Sequence, residues 1–109
     1  MIDDVLHRLA RTIHERRSAG LASSYTRQLL DGGPVVCARK FGEEALEAVI
    51  AGVGSDDLAL KSEAADVLYH LLVLLEARGI LFSDVLLILE AREKSSGLQE
   101  KALRNRAGQ

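Results

Sequence analysis

The stretch Lys40-Phe41-Gly42-Glu43-Glu44-Ala45-Leu46-Glu47 is answered sixteen residues later by Glu63-Ala64-Ala65-Asp66. Both halves read as helix, where residues three or four apart share a face, so Glu44 pairs with Glu47 and Glu63 with Asp66. Between them, Gly52-Val53-Gly54-Ser55-Asp56-Asp57 supplies two helix-ending glycines followed by N-cap candidates, a combination that reverses the chain. Folded near Ser55, the two pairs stand about ten residues on either side of the turn, level with each other in an antiparallel helical hairpin. Spacing alone thus proposes four carboxylates facing one another across two helices.

Outward from that hairpin the pattern stays helical. Ile2, Val5, Leu6, Leu9 and Ile13 recur at three and four, which predicts an amphipathic helix ending near Arg16, Arg17 and Gly20. Ser23-Ser24-Tyr25-Thr26 offers N-caps, Leu29 and Leu30 give a brief apolar face, and Asp31-Gly32-Gly33 closes a short helix or turn. Pro34 suits the first turn of the next helix, predicted over 35–51. That helix buries Val35, Val36, Phe41, Ala45, Ala48 and Val49 in some combination, with Gly42 a place where another backbone could approach closely. The following helix, 58–78, is apolar almost all round between Val67 and Leu75, so it belongs at the centre of a bundle or in a dimer interface. Gly79 stops it. Ser83 caps a last helix over 84–93 with Val85, Ile88 and Leu89 inward, and Ser95-Ser96-Gly97 opens a polar, basic tail. The expectation is an all-α fold, a bundle of four to five helices over residues 1–94 with a tail over 95–109.

At 109 residues the chain makes one domain, small enough to draw part of its stability from self-association, so a homo-oligomer, most simply a dimer, is expected. A net charge of −2 and only 4% aromatic residues argue against nucleic acid as partner. The lone Cys37 forms no internal disulfide and no apolar signal segment opens the chain, which points to a reducing, cytoplasmic setting. The apolar run is broken by Tyr69 and His70 and falls far short of the roughly 20 residues of a membrane span.

Facing carboxylates repel and raise one another's pKa unless a cation lies between them. Magnesium is the natural choice, since it takes oxygen ligands and is typically held by a few carboxylates plus substrate phosphates. Such an ion would neutralise charge on a phosphoanhydride and activate water, with Glu47 or the adjacent Glu43 taking the proton. The bland alternatives are a solvated acidic face for Glu43-Glu44-x-x-Glu47, and an ion pair with Arg39, Lys40 or Lys61 for Glu63 and Asp66. Lys40 reads equally as a salt-bridge partner of Glu44 or as a phosphate contact. His70 falls on the carboxylate stripe and reads first as a satisfied core histidine. Tyr69 packs with its hydroxyl on a polar neighbour, and Cys37 reads as a small buried hydrophobe. Arg27, Arg39, Arg92 and the basic tail are anion contacts on charge alone. The Glu-x-x-His pairs of a di-iron bundle are absent, and one cysteine with three scattered histidines disfavours zinc.

These residues resemble the phosphoribosyl-ATP pyrophosphatase family, within the all-α nucleotide pyrophosphatase superfamily that includes MazG-like enzymes. The superfamily pattern is Glu43-Glu44-Ala45-Leu46-Glu47 with Glu63-Ala64-Ala65-Asp66. The family-level likeness adds Ser24-Tyr25-Thr26 before Leu29-Leu30, Lys40 before Gly42, Ala65-Asp66-Val67-Leu68-Tyr69-His70, Gly79 before the helix that ends at Arg92, and Ser96-Gly97-Leu98 with Glu100-Lys101. The resemblance implies magnesium-dependent hydrolysis of 1-(5-phosphoribosyl)-ATP to 1-(5-phosphoribosyl)-AMP and pyrophosphate, the second step of histidine biosynthesis. It implies Glu44, Glu47, Glu63 and Asp66 as metal ligands, Glu43 as a supporting acid, Lys40 as a phosphate contact, and Ser24, Tyr25 and Thr26 near the nucleotide or the opposite subunit. Two rivals use the same residues differently: a MazG-like enzyme acting on simple nucleoside triphosphates, and a non-catalytic helical dimerisation module with an acidic surface.

Overall fold

The computed structural model describes residues 2–18, 24–94, 101 and 103–105, with the side chains of residues 2–4 outside the described set. Gly20, Ser23, Ser95, Ser96, Gly97, Leu98, Gln99 and Glu100, and the side chain of Ile2, lie outside the described residues, as does most of the tail. The fold is all-α: α1 (Ile2–Ser18), α2 (Tyr25–Asp31), α3 (Gly33–Val53), α4 (Asp57–Ala77) and α5 (Phe82–Glu93).

Local chemistry sets most boundaries. Ser24 caps α2, its hydroxyl accepting from the Arg27 N–H at 3.4 Å and from Arg16 at 3.3 Å. Gly33, at φ +82°, makes the left-handed turn into α3, and Pro34 follows in the first turn. Asp56 caps α4 by accepting from the N–H groups of Leu58 and Ala59 at 3.0 and 3.2 Å, so the α3–α4 reversal needs only residues 54–56. At the far end Gly79 adopts φ +69°, its N–H bonds to the Glu76 carbonyl, and the Ile80 N–H bonds to the Leu75 carbonyl at 2.9 Å. This is a Schellman closure, which only a residue at ease with positive φ completes without strain.

One expected boundary moves. The last helix starts at Phe82 with Leu81 in the cap position and no side-chain cap, rather than being capped by Ser83. Phe82 is packed against the core and meets the His7 ring edge-on at 5.7 Å, so burial of this ring decides where α5 begins.

α3 and α4 form the antiparallel hairpin, and α4 also packs against α1 and α2. The core is Ile13, Leu29, Cys37, Leu72 and Val73, with Leu6, Leu9, Leu30, Tyr69, Leu75 and Phe82 against it. Cys37 is buried, and its thiol donates to the Leu29 carbonyl at 3.2 Å. Burial pushes its pKa up, and the Arg17 charge only partly offsets this, so the thiol is a packed hydrophobe.

The α3 core candidates divide. Val35 and Val49 are 79% and 61% exposed, and Leu46, Ile50 and Val53 are exposed beside Val49 on the same helical face. α5 buries no residue, and Leu87, Ile88 and Leu89 face outward, although Ile88 and Leu89 read as inward. Gly42 has open space where a side chain would stand, and no other helix among the described residues comes within 4 Å of that position.

Candidate active site

The hairpin brings acidic side chains of α3 and α4 together. Ligand oxygens of Glu44, Glu63 and Asp66 all lie within 4.8 Å of one another. Glu47 stands outside that trio, yet its charge reaches it. Partial burial first, and then the negative charges of Asp66, Glu47 and Glu44, hold the Glu63 carboxyl above its ordinary pKa. Mutual repulsion of this kind is what a cation would relieve.

The ion-pair alternative does not hold for α4. Among the described residues neither Glu63 nor Asp66 has a Lys or Arg partner. Lys40 is engaged on its own helix, with Nζ 3.3 Å from Glu43 Oε2, so its partner is Glu43 rather than Glu44. On the other side of Glu44 stands His70, buried, with Nε2 3.9 Å from Glu44 Oε1.

A small polar and aromatic group flanks the acids. Thr26 Oγ1 and Tyr69 Oη hydrogen-bond at 2.6 Å and tie α2 to α4. Tyr25, half exposed, stacks near Tyr69 with ring centroids 6.4 Å apart and stands edge-on to His70 at 6.2 Å. Ser24 is buried, capping α2 and accepting from Arg16. Thr26 and Tyr25 therefore touch α4, one of the two helices that carry the acids, through Tyr69 and His70. Arg92 lies in the last turn of α5, outside the two helices that hold the carboxylates.

Two features were not visible in the sequence. Tyr25, Tyr69 and His70 come from helices far apart in the chain, and no spacing rule links them. A second cluster sits at the other end of α4, where Glu76 receives Arg17 Nε at 2.8 Å and His14 Nδ1 at 3.1 Å. Arg17 also donates to the Glu76 main-chain carbonyl, which satisfies one of the helix-end acceptors of α4. A cavity of about 280 Å³ opens beside this cluster between His7, Arg11, His14, Leu75, Glu76 and Phe82, and none of the four candidate ligands lines it. The carboxylate trio instead faces outward, with Asp66 exposed and Glu44 and Glu63 half-buried.

The model of the phosphoribosyl-ATP pyrophosphohydrolase family matches residues 6–93. A protein of Cereibacter sphaeroides named phosphoribosyl-ATP pyrophosphatase is 56% identical over 98 residues, covering 90% of this chain and 95% of the relative. One of Rhodopseudomonas palustris, named phosphoribosyl-ATP pyrophosphatase 1, is 54% identical over 101 residues, 93% of this chain and 94% of the relative. A Paracoccus denitrificans protein of the former name is 56% identical over 99 residues, 91% of this chain and 92% of the relative. With this fold and these relatives the chain is an enzyme, an all-α hydrolase. More narrowly, it belongs to the phosphoribosyl-ATP pyrophosphohydrolase family.

Proposed function

We propose that the protein hydrolyses 1-(5-phosphoribosyl)-ATP to 1-(5-phosphoribosyl)-AMP and pyrophosphate with magnesium as cofactor, as a homodimer acting in the cytoplasm in histidine biosynthesis. The observation that carries the reading is the set of three carboxylates within 4.8 Å, none of which has a Lys or Arg partner among the described residues. The donor set fits magnesium. Its ligands are hard carboxylate oxygens close enough together to share one ion, the donor type that magnesium takes. Glu44, Glu63 and Asp66 would hold the ion, and Glu47, one turn after Glu44, would complete or support the set. Bound there, magnesium supplies Lewis-acid polarisation and charge neutralisation at the phosphoanhydride.

The chain's own groups do the rest. Glu47 is exposed on the acidic face, and takes the proton from the attacking water as its oxygen bonds to phosphorus and the bridging P–O bond breaks. Glu43 holds Lys40, whose ammonium contacts the phosphates. The half-exposed ring of Tyr25 offers a face to the nucleotide, and Ser24 and Thr26 fix that ring's position through their hydrogen bonds. Arg92 and the basic tail are further anion contacts by their charge.

Self-association is supported by the exposed apolar stripe Leu46, Val49, Ile50 and Val53 on α3 and by Leu87, Ile88 and Leu89 on α5. A second copy of the hairpin covers such a stripe as helices do in a four-helix bundle. Among the described residues no helix is long and apolar enough to cross a membrane.

Pyrophosphate release with magnesium, comparing phosphoribosyl-ATP with ATP and dCTP and using Glu47→Gln as control, tests the reading. Release from phosphoribosyl-ATP alone, lost in Glu47→Gln, supports it. Preference for a simple triphosphate moves the enzyme to the MazG-like branch.

A further inference from the structure

We propose that His70 is a positioning residue for Glu44, holding that carboxylate in the orientation that receives the cation; this rests on the magnesium reading above. His70 is 5% exposed and stands one turn after Asp66 on α4, on the stripe that carries Glu63. Its Nε2 faces Glu44 Oε1 across 3.9 Å.

The two partners differ in freedom. The imidazole is fixed by packing: the Tyr69 ring stands edge-on to it at 5.0 Å and 82°, and the Tyr25 ring at 6.2 Å and 85°. Tyr69 is itself tied by its hydroxyl to Thr26. Glu44 has three rotatable bonds and is half-buried. A gap of 3.9 Å exceeds a hydrogen bond, and rotation of Glu44 toward the fixed ring closes it. Neutral imidazole protonated on Nε2 donates to one carboxylate oxygen, and the other oxygen turns to the cation. No charge on the ring is required. Groups that orient metal-binding side chains from behind in this way commonly affect metal affinity by about 10–100-fold when removed. A histidine kept only for packing has no need of Nε2 here, since a phenylalanine ring presents the same edges to Tyr25 and Tyr69.

The test is magnesium binding by titration calorimetry to wild type, His70→Phe, His70→Gln and His70→Asn, each checked for helix content and thermal unfolding. A Gln side chain places an amide N–H near the Nε2 position, and Asn reaches only the Nδ1 position. The expected result is affinity weakened about 10–100-fold in His70→Phe and His70→Asn, with His70→Gln recovering most of it. In turnover, the magnesium concentration needed for half-activation rises by more than kcat falls. Binding by His70→Phe within about twofold of wild type, well short of that range, overturns the role. Equal losses in Gln and Asn overturn it too, and that pair decides the matter if the Phe variant fails to fold. Absence of magnesium binding in wild type brings down the metal reading itself, a distinct outcome.

Discussion

Glu63 and Glu76 stand at opposite ends of the same helix and live under opposite rules. Glu76 has the Arg17 guanidinium and the His14 ring on its oxygens, and this cluster pins the end of α1 to the end of α4. Glu63 is surrounded by Asp66, Glu47 and Glu44, and its ionised form is disfavoured by partial burial and by each of those charges. Glu76 finds its counter-charge within the chain, whereas Glu63 stands among other acids, the arrangement that the proposed magnesium would relieve.

The largest effect expected from breaking this contrast is at Glu63. Glu63→Gln removes a proposed ligand and lowers pyrophosphate release by about 100-fold or more, on the scale of losing an essential electrostatic group. The same change relieves repulsion, so the metal-free variant unfolds at a temperature equal to or above wild type by scanning calorimetry. A dead enzyme that is also destabilised would make Glu63 a structural residue. Magnesium sharpens the contrast next: added at 100 times its dissociation constant, it stabilises wild type by about 2.7 kcal/mol. Glu63→Gln shows little of this gain.

Glu76→Gln has the converse signature. It loses the Arg17 pair, which is partly exposed and so contributes on the order of 1 kcal/mol, visible as a lower denaturant midpoint with turnover per folded molecule retained. Smaller again is Tyr69→Phe, which removes the 2.6 Å bond to Thr26 and costs about 1 kcal/mol or less of stability in the same assay.

The mildest test is alkaline pH. Burial raises the pKa of Cys37 above its ordinary 9.0, and burial raises that of Tyr69 above its ordinary 10.0 against the opposing Thr26 bond. A group whose folded pKa is raised stabilises fully below its unfolded pKa and loses that contribution as pH rises through the folded value. Circular dichroism therefore shows a plateau through neutral pH and a decline beginning above the ordinary Cys37 value of 9.0. Cys37 reacts with thiol reagents on the timescale of unfolding rather than at once.

How much of this was legible beforehand depends on the range over which each feature is decided. Pro34, Asp56 and Gly79 mark their boundaries because caps and left-handed turns are settled by the residues themselves and their immediate neighbours. The start of α5 was misplaced because Ser83 satisfies the local rule, while burial of Phe82 against His7 and the core overrides it. Val35 and Val49 look like core residues by type, yet are exposed, with none of the described residues burying them.

The sequence by itself determined that the chain is helical, where α3 and α4 turn back on each other, and that their acids meet level across the hairpin. Those follow from periods of three and four and from a turn midway between the two motifs, all local quantities. Only the tertiary structure decided that Lys40 pairs with Glu43, that Glu47 stands outside the trio, and that His70 faces Glu44 from between two tyrosines. These depend on side-chain directions and on contacts between helices distant in the chain, which helical periodicity does not encode.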